Sequence, residues 1–367
     1  MNKAKNLVKG DKVAIVSLSS GVFGEKFCAH EVAIAKKRLE DYGFEVVMMP
    51  HALAGIDYVK EHPEDRAKAL KQAILDPEIK AIFTAIGGDD TYRTIPYLME
   101  DSEFVEGVKN NPKIFSGFSD TTINHLMFYK LGLKTFYGPC VMIDLAELDS
   151  EMLPYTKEHF EKFMKDDGSF LIESSDIWYI DRESFGPDQI GIPRESVVEG
   201  RGYEVLNGSG VVQGELYGGC IESFYDAMTG NTYPEEKDII EKYSILPTLD
   251  EWRGKILFLE TSELYAEPDL LRKMLLEFKS RGILGTVSGL LIGKPKNEVY
   301  YEEYKDVYKE VFSDLDTPVL YNMNFGHALP RCLVPYGAMC EVDYNKKSVN
   351  VVEPILEKSE SKVLNKS

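Results

Sequence analysis

Along the first half of the chain, short apolar runs alternate with stretches in which apolar residues return every three or four positions. Val13-Ala14-Ile15-Val16 and residues 44–49, 81–86 and 113–116 have the length and composition of strands. Between them, Val32, Ala35, Leu39 and Tyr42 fall on one helical face, with Gly43 as the stop. Residues 65–75 and 91–99 follow the helical period, and Ile123, Leu126, Met127 and Leu131 line a further helix after the fourth strand. Short apolar strands alternating with helices predict an α/β domain over residues 1–165, with a mostly parallel sheet covered on both faces.

The rhythm dissolves over residues 166–207, which are rich in Asp, Glu, Ser, Gly and Pro and include Gly186-Pro187-Asp188. This composition predicts an interdomain segment. A second domain is expected over residues 208–355. It carries apolar runs at 255–259, 289–292 and 318–321, with helices near 269–280 and 302–312 between them. Residues 339–343 and 348–352 predict a hairpin across Asn345-Lys346-Lys347. The polar end, residues 356–367, is expected to fray.

Composition agrees with this division. A single core stops growing beyond about 250–300 residues, so 367 residues imply two domains. No apolar run approaches the ~20 residues that span a bilayer. The short run after the lysine-bearing N-terminus reads as a strand and not as a signal peptide, so a cytoplasmic location and no membrane partner are expected. A net charge of −19 repels phosphate backbones and argues against a nucleic-acid partner, while leaving room for a small nucleotide-like ligand. The five cysteines are far apart and odd in number, with no CxxC, which predicts buried free thiols.

Four places can carry chemistry. In Ser116-Gly117-Phe118-Ser119-Asp120 a strand gives way to a helix. A serine at such a turn can lift its hydroxyl clear of the sheet, and the Asp120 amide can face an oxyanion. Ser119 or Asp120 can equally serve as a helix cap. In Ile86-Gly87-Gly88-Asp89, two glycines after a strand let the backbone approach a ligand, as an oxyanion donor, a phosphate cradle or simply a tight turn. Glu260, at the end of an apolar run, can orient a histidine or sit at a solvated strand end. His327, in Gly326-His327-Ala328-Leu329-Pro330, can be a general base or a structural loop residue. No HxxxH or HExxH spacing occurs, so no metal site is indicated.

Taken in order, these segments resemble the LD-carboxypeptidase family of serine peptidases, nearest the branch that holds the microcin C immunity proteins. The resemblance rests on Gly10-Asp11-Lys12 through Val16, Gly87-Gly88 through Arg93, Pro96-Tyr97-Leu98, Gly117-Phe118-Ser119-Asp120, Gly214 through Cys220, Leu257-Phe258-Leu259-Glu260, and Gly326-His327 with Pro330. It implies a flavodoxin- or Rossmann-like N-terminal domain, a smaller, β-rich, barrel-like C-terminal domain, a cleft between them, and a homodimer. By motif it makes Ser119 the nucleophile, Glu260 the acid and His327 the base, with the Gly88 and Asp120 amides as oxyanion hole and no metal or organic cofactor. Gly87 is expected to border the substrate. In the immunity branch the interdomain segment carries tryptophans that stack on a base; Trp178 matches the first, and the second position is Phe185.

The expected substrate is a small peptide-like molecule cleaved at an amide bond. One version is an aminoacyl-nucleotide; the alternative is a muropeptide losing a terminal D-alanine at an L,D bond. A reading from another class is a two-domain sensor that binds peptide or nucleotide without turnover. An α/β-hydrolase esterase fits less well, because GxSxG is missing.

Overall fold

The computed structural model describes residues 1–165 and 168–359. Its first sheet contains β1 (Lys12–Val16), β2 (Glu45–Met48), β3 (Ile79–Thr84), β4 (Ile114–Gly117) and β5 (Phe136–Tyr137), in the order β5-β4-β3-β1-β2. All four pairings among them are parallel. β1 is buried from Val13 to Val16 and β3 from Ala81 to Thr84, as strands covered on both faces must be. The helix Pro63–Leu75 starts with proline in its first turn and packs Ala67, Leu70, Ala73 and Ile74 inward. The helix Ser102–Asn110, not anticipated from the sequence, starts at Asp101, whose carboxylate accepts the Phe104 amide at 3.0 Å.

This strand order has a consequence for the site. The chain leaves β1 in one direction to reach β2 and returns on the other side to β3. In open parallel sheets the loops at the carboxyl ends of strands flanking such a reversal diverge and leave a crevice. Here those loops are Ser17–Ser20 after β1 and Ala85–Gly88 after β3, with Phe118-Ser119 after β4 beside them.

The segment 166–207, expected to lie between the domains, carries short strands; Asp166 and Asp167 lie outside the described residues. It supplies β6 (Phe170–Leu171), a two-stranded ribbon of β7 (Ile177–Tyr179) and β8 (Ser196–Val198), and β9 (Glu204–Asn207). Strands this short leave no readable alternation in a sequence. The remaining strands are β10 (Val211–Cys220), β11 (Lys255–Glu260), β12 (Gly289–Gly293), β13 (Val319–Met323), β14 (Val334–Pro335), β15 (Met339–Asp343) and β16 (Ser348–Val351). The second sheet runs β6-β16-β15-β10-β11-β12-β13-β9, so β6 and β9 are its opposite edges. Its four middle strands, β10 to β13, are parallel and its flanks antiparallel. The expected hairpin is present, with Asp343 opposite Ser348.

β14 crosses back to the first sheet as its edge strand beside β5, pairing Val334 with Tyr137, so the second half of the chain contributes to the first sheet. The expected fraying from residue 356 is corrected for residues 356–359. Leu356 is buried, the Glu357 amide donates to the Ala4 carbonyl at 2.8 Å, and the Ser359 amide donates to Asn6 Oδ1 at 2.6 Å. Residues 360–367 lie outside the described residues. All five cysteines are free and buried. Among the described residues no helix is long and apolar enough to cross a membrane.

Candidate active site

Ser119 sits where β4 stops and a single tight turn, Ser119–Thr121, leads into the helix Thr122–Lys130. Its φ is +66°, a region that costs a residue with a side chain about 1–3 kcal/mol and that persists only where surroundings enforce it. The enforcement is visible. The Ser119 amide donates to the Tyr137 hydroxyl at 3.0 Å, and the Thr122 hydroxyl donates to the Ser119 carbonyl at 2.7 Å. Beneath the turn, buried His125 bridges the Gly117 carbonyl at 2.9 Å and Thr135 Oγ1 at 2.8 Å. Burial pushes its pKa down to about 3, so it is a neutral structural ring.

Glu260 is the last residue of β11 and is 1% exposed. Its Oε1 accepts from the Tyr137 hydroxyl at 2.5 Å, while Oε2 accepts the His327 amide at 3.1 Å and faces His327 Nδ1 at 2.8 Å. The approach is so close that a Cβ on Gly326, whose φ is +81°, would stand 2.3 Å from the Glu260 carboxyl carbon. Glycine before the histidine is therefore a steric requirement.

His327 follows β13, its ring edge-on to Phe118 at 5.0 Å. Nε2 lies 3.1 Å from Ser119 Oγ. The loop is pinned by buried Arg331, which donates to the Gly326 carbonyl at 2.8 Å, pairs with Asp144 at 2.6 Å and covers Phe118 at 4.1 Å. A further carboxylate, Glu263 Oε2, lies 2.7 Å from the same Nε2. Burial pulls the imidazole pKa down, but Glu260 and Glu263 together outweigh it and raise it to about 9. The hydrogen bond from His327 holds Glu263 down at about 2.

Gly87 and Gly88 form the floor opposite the serine. A Cβ on Gly87 would stand 2.9 Å from Ser119 Oγ and 3.3 Å from the Asp120 amide nitrogen. Gly88 has φ +154°, and a Cβ there would meet Ser19 Oγ at 2.2 Å. The two bare positions keep open the space in front of the hydroxyl. The Asp120 side chain turns away from it, accepting from Ser19 Oγ at 2.6 Å and the Thr91 amide at 2.9 Å, and burial raises its pKa to about 6.

Together these groups border a cleft of about 330 Å³ whose far wall holds Phe185, Asp181 and Lys296. Phe185, one of the two aromatic residues singled out in the sequence, borders this cleft, whereas Trp178 is not among its lining residues. It is 8% exposed, with the buried Lys294 ammonium 5.1 Å above its ring, because the β7–β8 pairing turns it into packing. Sequence reasoning missed Glu263, Tyr137 and Arg331. Glu263 stands three residues past Glu260, and that spacing was its only local signal. Tyr137 and Arg331 become visible only through contacts far along the chain.

Residues 13–138 match the LD-carboxypeptidase N-terminal domain, and residues 213–342 match the LD-carboxypeptidase C-terminal domain. A solved MccF-like protein from Streptococcus pneumoniae, in complex with AMP, is 43% identical; the alignment covers 93% of this chain and 98% of that one, with a TM-score of 0.88. The microcin C7 self-immunity protein MccF of Escherichia coli is 27% identical over 305 residues, 80% of this chain and 79% of its own. Its structure with aspartyl sulfamoyl adenosine superposes with a TM-score of 0.80 over 97% of this chain. A Bacillus subtilis (strain 168) protein named probable murein peptide carboxypeptidase is 26% identical over 352 residues, 94% of this chain and 93% of its own.

Proposed function

Since the chain belongs to the LD-carboxypeptidase family, we propose that it is a serine hydrolase that cleaves the amide-type bond joining an aminoacyl group to a nucleotide-like moiety. The observation that carries this reading is the unbroken chain Ser119 Oγ, His327 Nε2, His327 Nδ1 and Glu260 Oε2, with links of 3.1 and 2.8 Å. A nucleophile, base and orienting carboxylate need such contacts, and a sensor has no use for them.

In the proposed reaction Ser119 Oγ attacks the substrate carbonyl and His327 Nε2 takes its proton. Glu260 fixes the Nδ1–H tautomer and stabilises the imidazolium. Tyr137 supports both ends, since its hydroxyl donates to Glu260 and accepts from the Ser119 amide. The Asp120 and Gly88 amides border the space left by Gly87 and would receive the oxyanion, a contribution typically worth about 3–4 kcal/mol per donor. His327 then returns its proton to the leaving group, and water hydrolyses the acyl-enzyme by the same route.

Two observations favour the nucleotide side: Phe185 lines the cleft, and the 43% identical pneumococcal protein was solved with AMP. The muropeptide reading is favoured by the murein-peptide relative, which matches along nearly the whole chain. The deciding experiment is mass spectrometry of products from aspartyl sulfamoyl adenosine and from an L,D-linked muropeptide. Ser119→Ala should lose at least ~10³-fold in rate on whichever is cleaved. Cleavage of neither compound by folded protein, or undiminished turnover by Ser119→Ala, removes the proposal.

A further inference from the structure

His327 Nε2 has two claimants. Ser119 Oγ lies at 3.1 Å and Glu263 Oε2 at 2.7 Å. A nitrogen has either a proton or a lone pair to offer, never both. A neutral lone pair facing a carboxylate at 2.7 Å would be repulsive, so this ion-pair contact favours the protonated ring, whose Nε2 proton is then directed at Ser119 Oγ. The arrangement is a resting state in which the base is occupied. A base occupied in this way cannot accept the serine proton.

Around the imidazole, Glu260 sits behind it with Glu222 further back, Arg331 is neutralised by Asp144, and Lys296 is paired with Asp181 at 2.6 Å across the mouth. Glu263 differs from all of these. Its side chain is 52% exposed, it borders the cleft, and its only ion-pair partner among the described residues is the catalytic ring. It is therefore free to exchange that partner for a cation arriving with the substrate.

We propose that Glu263 is both an ammonium receptor and a latch: by ion pairing it keeps the ring protonated in the empty site, and it releases the base when the free α-ammonium of an aminoacyl substrate takes the ring's place. This deepens, and rests on, the aminoacyl-hydrolase reading. In an aminoacyl group the α-nitrogen lies about 2.5 Å from the carbonyl carbon. The attacking oxygen must approach that carbon to about 3–3.5 Å. The ammonium consequently falls beside the reacting atoms, within reach of a carboxylate that already touches Nε2. As Glu263 pairs with the ammonium, the imidazolium loses its partner and gives its Nε2 proton to water at the open mouth. The lone pair is left facing Ser119 Oγ. An N-acylated residue, as in the interior of a peptide, presents a neutral amide at this point and leaves the latch closed. Glu263 thereby selects aminoacyl over peptidyl substrates.

The test compares aspartyl sulfamoyl adenosine with its Nα-acetyl derivative in the wild-type protein, Glu263→Gln and Glu263→Ala. The wild-type protein should prefer the free amine at least about 10-fold in kcat/KM. Both variants should bring the ratio towards one and move the acidic limb of kcat/KM for the acetyl compound to lower pH. A wild-type ratio preserved in two folded variants overturns the proposal while leaving the hydrolase reading intact. Turnover of neither compound by the wild-type protein fails the hydrolase reading itself, and substrate selection with it. Nitrogen-15 NMR of His327 in the empty enzyme then judges the latch separately. Its titration should move to lower pH in Glu263→Gln, and an unmoved titration overturns the latch.

Discussion

The proposed reacting centre and the far wall of the cleft face each other but are held by different physics. Around Ser119, Glu260 and His327, position is set chiefly by backbone and close packing: a positive-φ serine, a glycine pressed against a carboxylate, and a buried tyrosine serving both ends, with one buried ion pair, Arg331–Asp144, pinning the histidine loop. The wall carrying Phe185 is held by charge. Glu147 is bound by Arg182 at 2.7 Å and Arg194 at 2.5 Å, and Asp181 by Arg194 at 2.7 Å and Lys296 at 2.6 Å. Backbone and close packing tolerate little displacement, which suits chemistry that fails with an error of about 1 Å. Side-chain ion pairs fix a surface without prescribing its shape, which suits recognition of a variable ligand.

The sharpest way to break that contrast is Gly326→Ala. The added Cβ would stand 2.3 Å from the Glu260 carboxyl carbon at a φ of +81°, so the carboxylate or the histidine must move. Activity should fall by about 10²-fold or more, with the fold retained by circular dichroism. Activity within a few-fold of wild type would mean that the clamp around Glu260 is far softer than these distances require.

The same contrast explains what was legible in the sequence. β1, β3 and β4 announced themselves because strands covered on both faces are mostly apolar, the edge strand β2 because Val46, Val47 and Met48 form an apolar run, and β15 and β16 because a turn sits between two alternating runs. Ser119, Glu260 and His327 were legible because each stands at an abrupt change of pattern, with glycine or a strand end beside it. The wall was not legible. β6, β8 and β9 have two to four residues each; β6 and β9 are ordered by pairing with the distant strands β16 and β13, and β8 only by its short ribbon with β7. Trp178 illustrates the limit. An aromatic residue in a polar segment fits a stacking platform and a packing residue equally well, and only the position of Lys294 decides between them.

Removing the wall's aromatic face should cost less than disturbing the clamp. Phe185 is held by its backbone, whose carbonyl faces His30 Nε2 at 2.8 Å, so alanine there deletes the ring without freeing the segment. Stacking of one base on an aromatic side chain is worth about 1–3 kcal/mol. Phe185→Ala should therefore raise KM for aspartyl sulfamoyl adenosine about 10-fold and leave kcat nearly unchanged. An equal loss in kcat would assign the ring to the reacting centre.

The smallest effect, and the one that separates the two regions most cleanly, is on stability against pH. His327 has its pKa raised to about 9 from an ordinary 6.5. Its contribution is complete below about 6.5 and is lost as pH rises through about 9, because the folded state holds a proton that the unfolded chain has released. Asp181 lies on the wall with its pKa lowered; burial would raise it, but Lys296 and Arg194 prevail. Its contribution is present above the ordinary value of 3.8 and is lost as pH falls through the depressed folded value. Urea denaturation across this range should show His327→Gln flattening the alkaline decline and Asp181→Asn flattening the acid one, each leaving the other limb in place. If either substitution flattened both limbs, centre and wall would have to be treated as one electrostatic unit, and the division of labour between backbone and charge would fall.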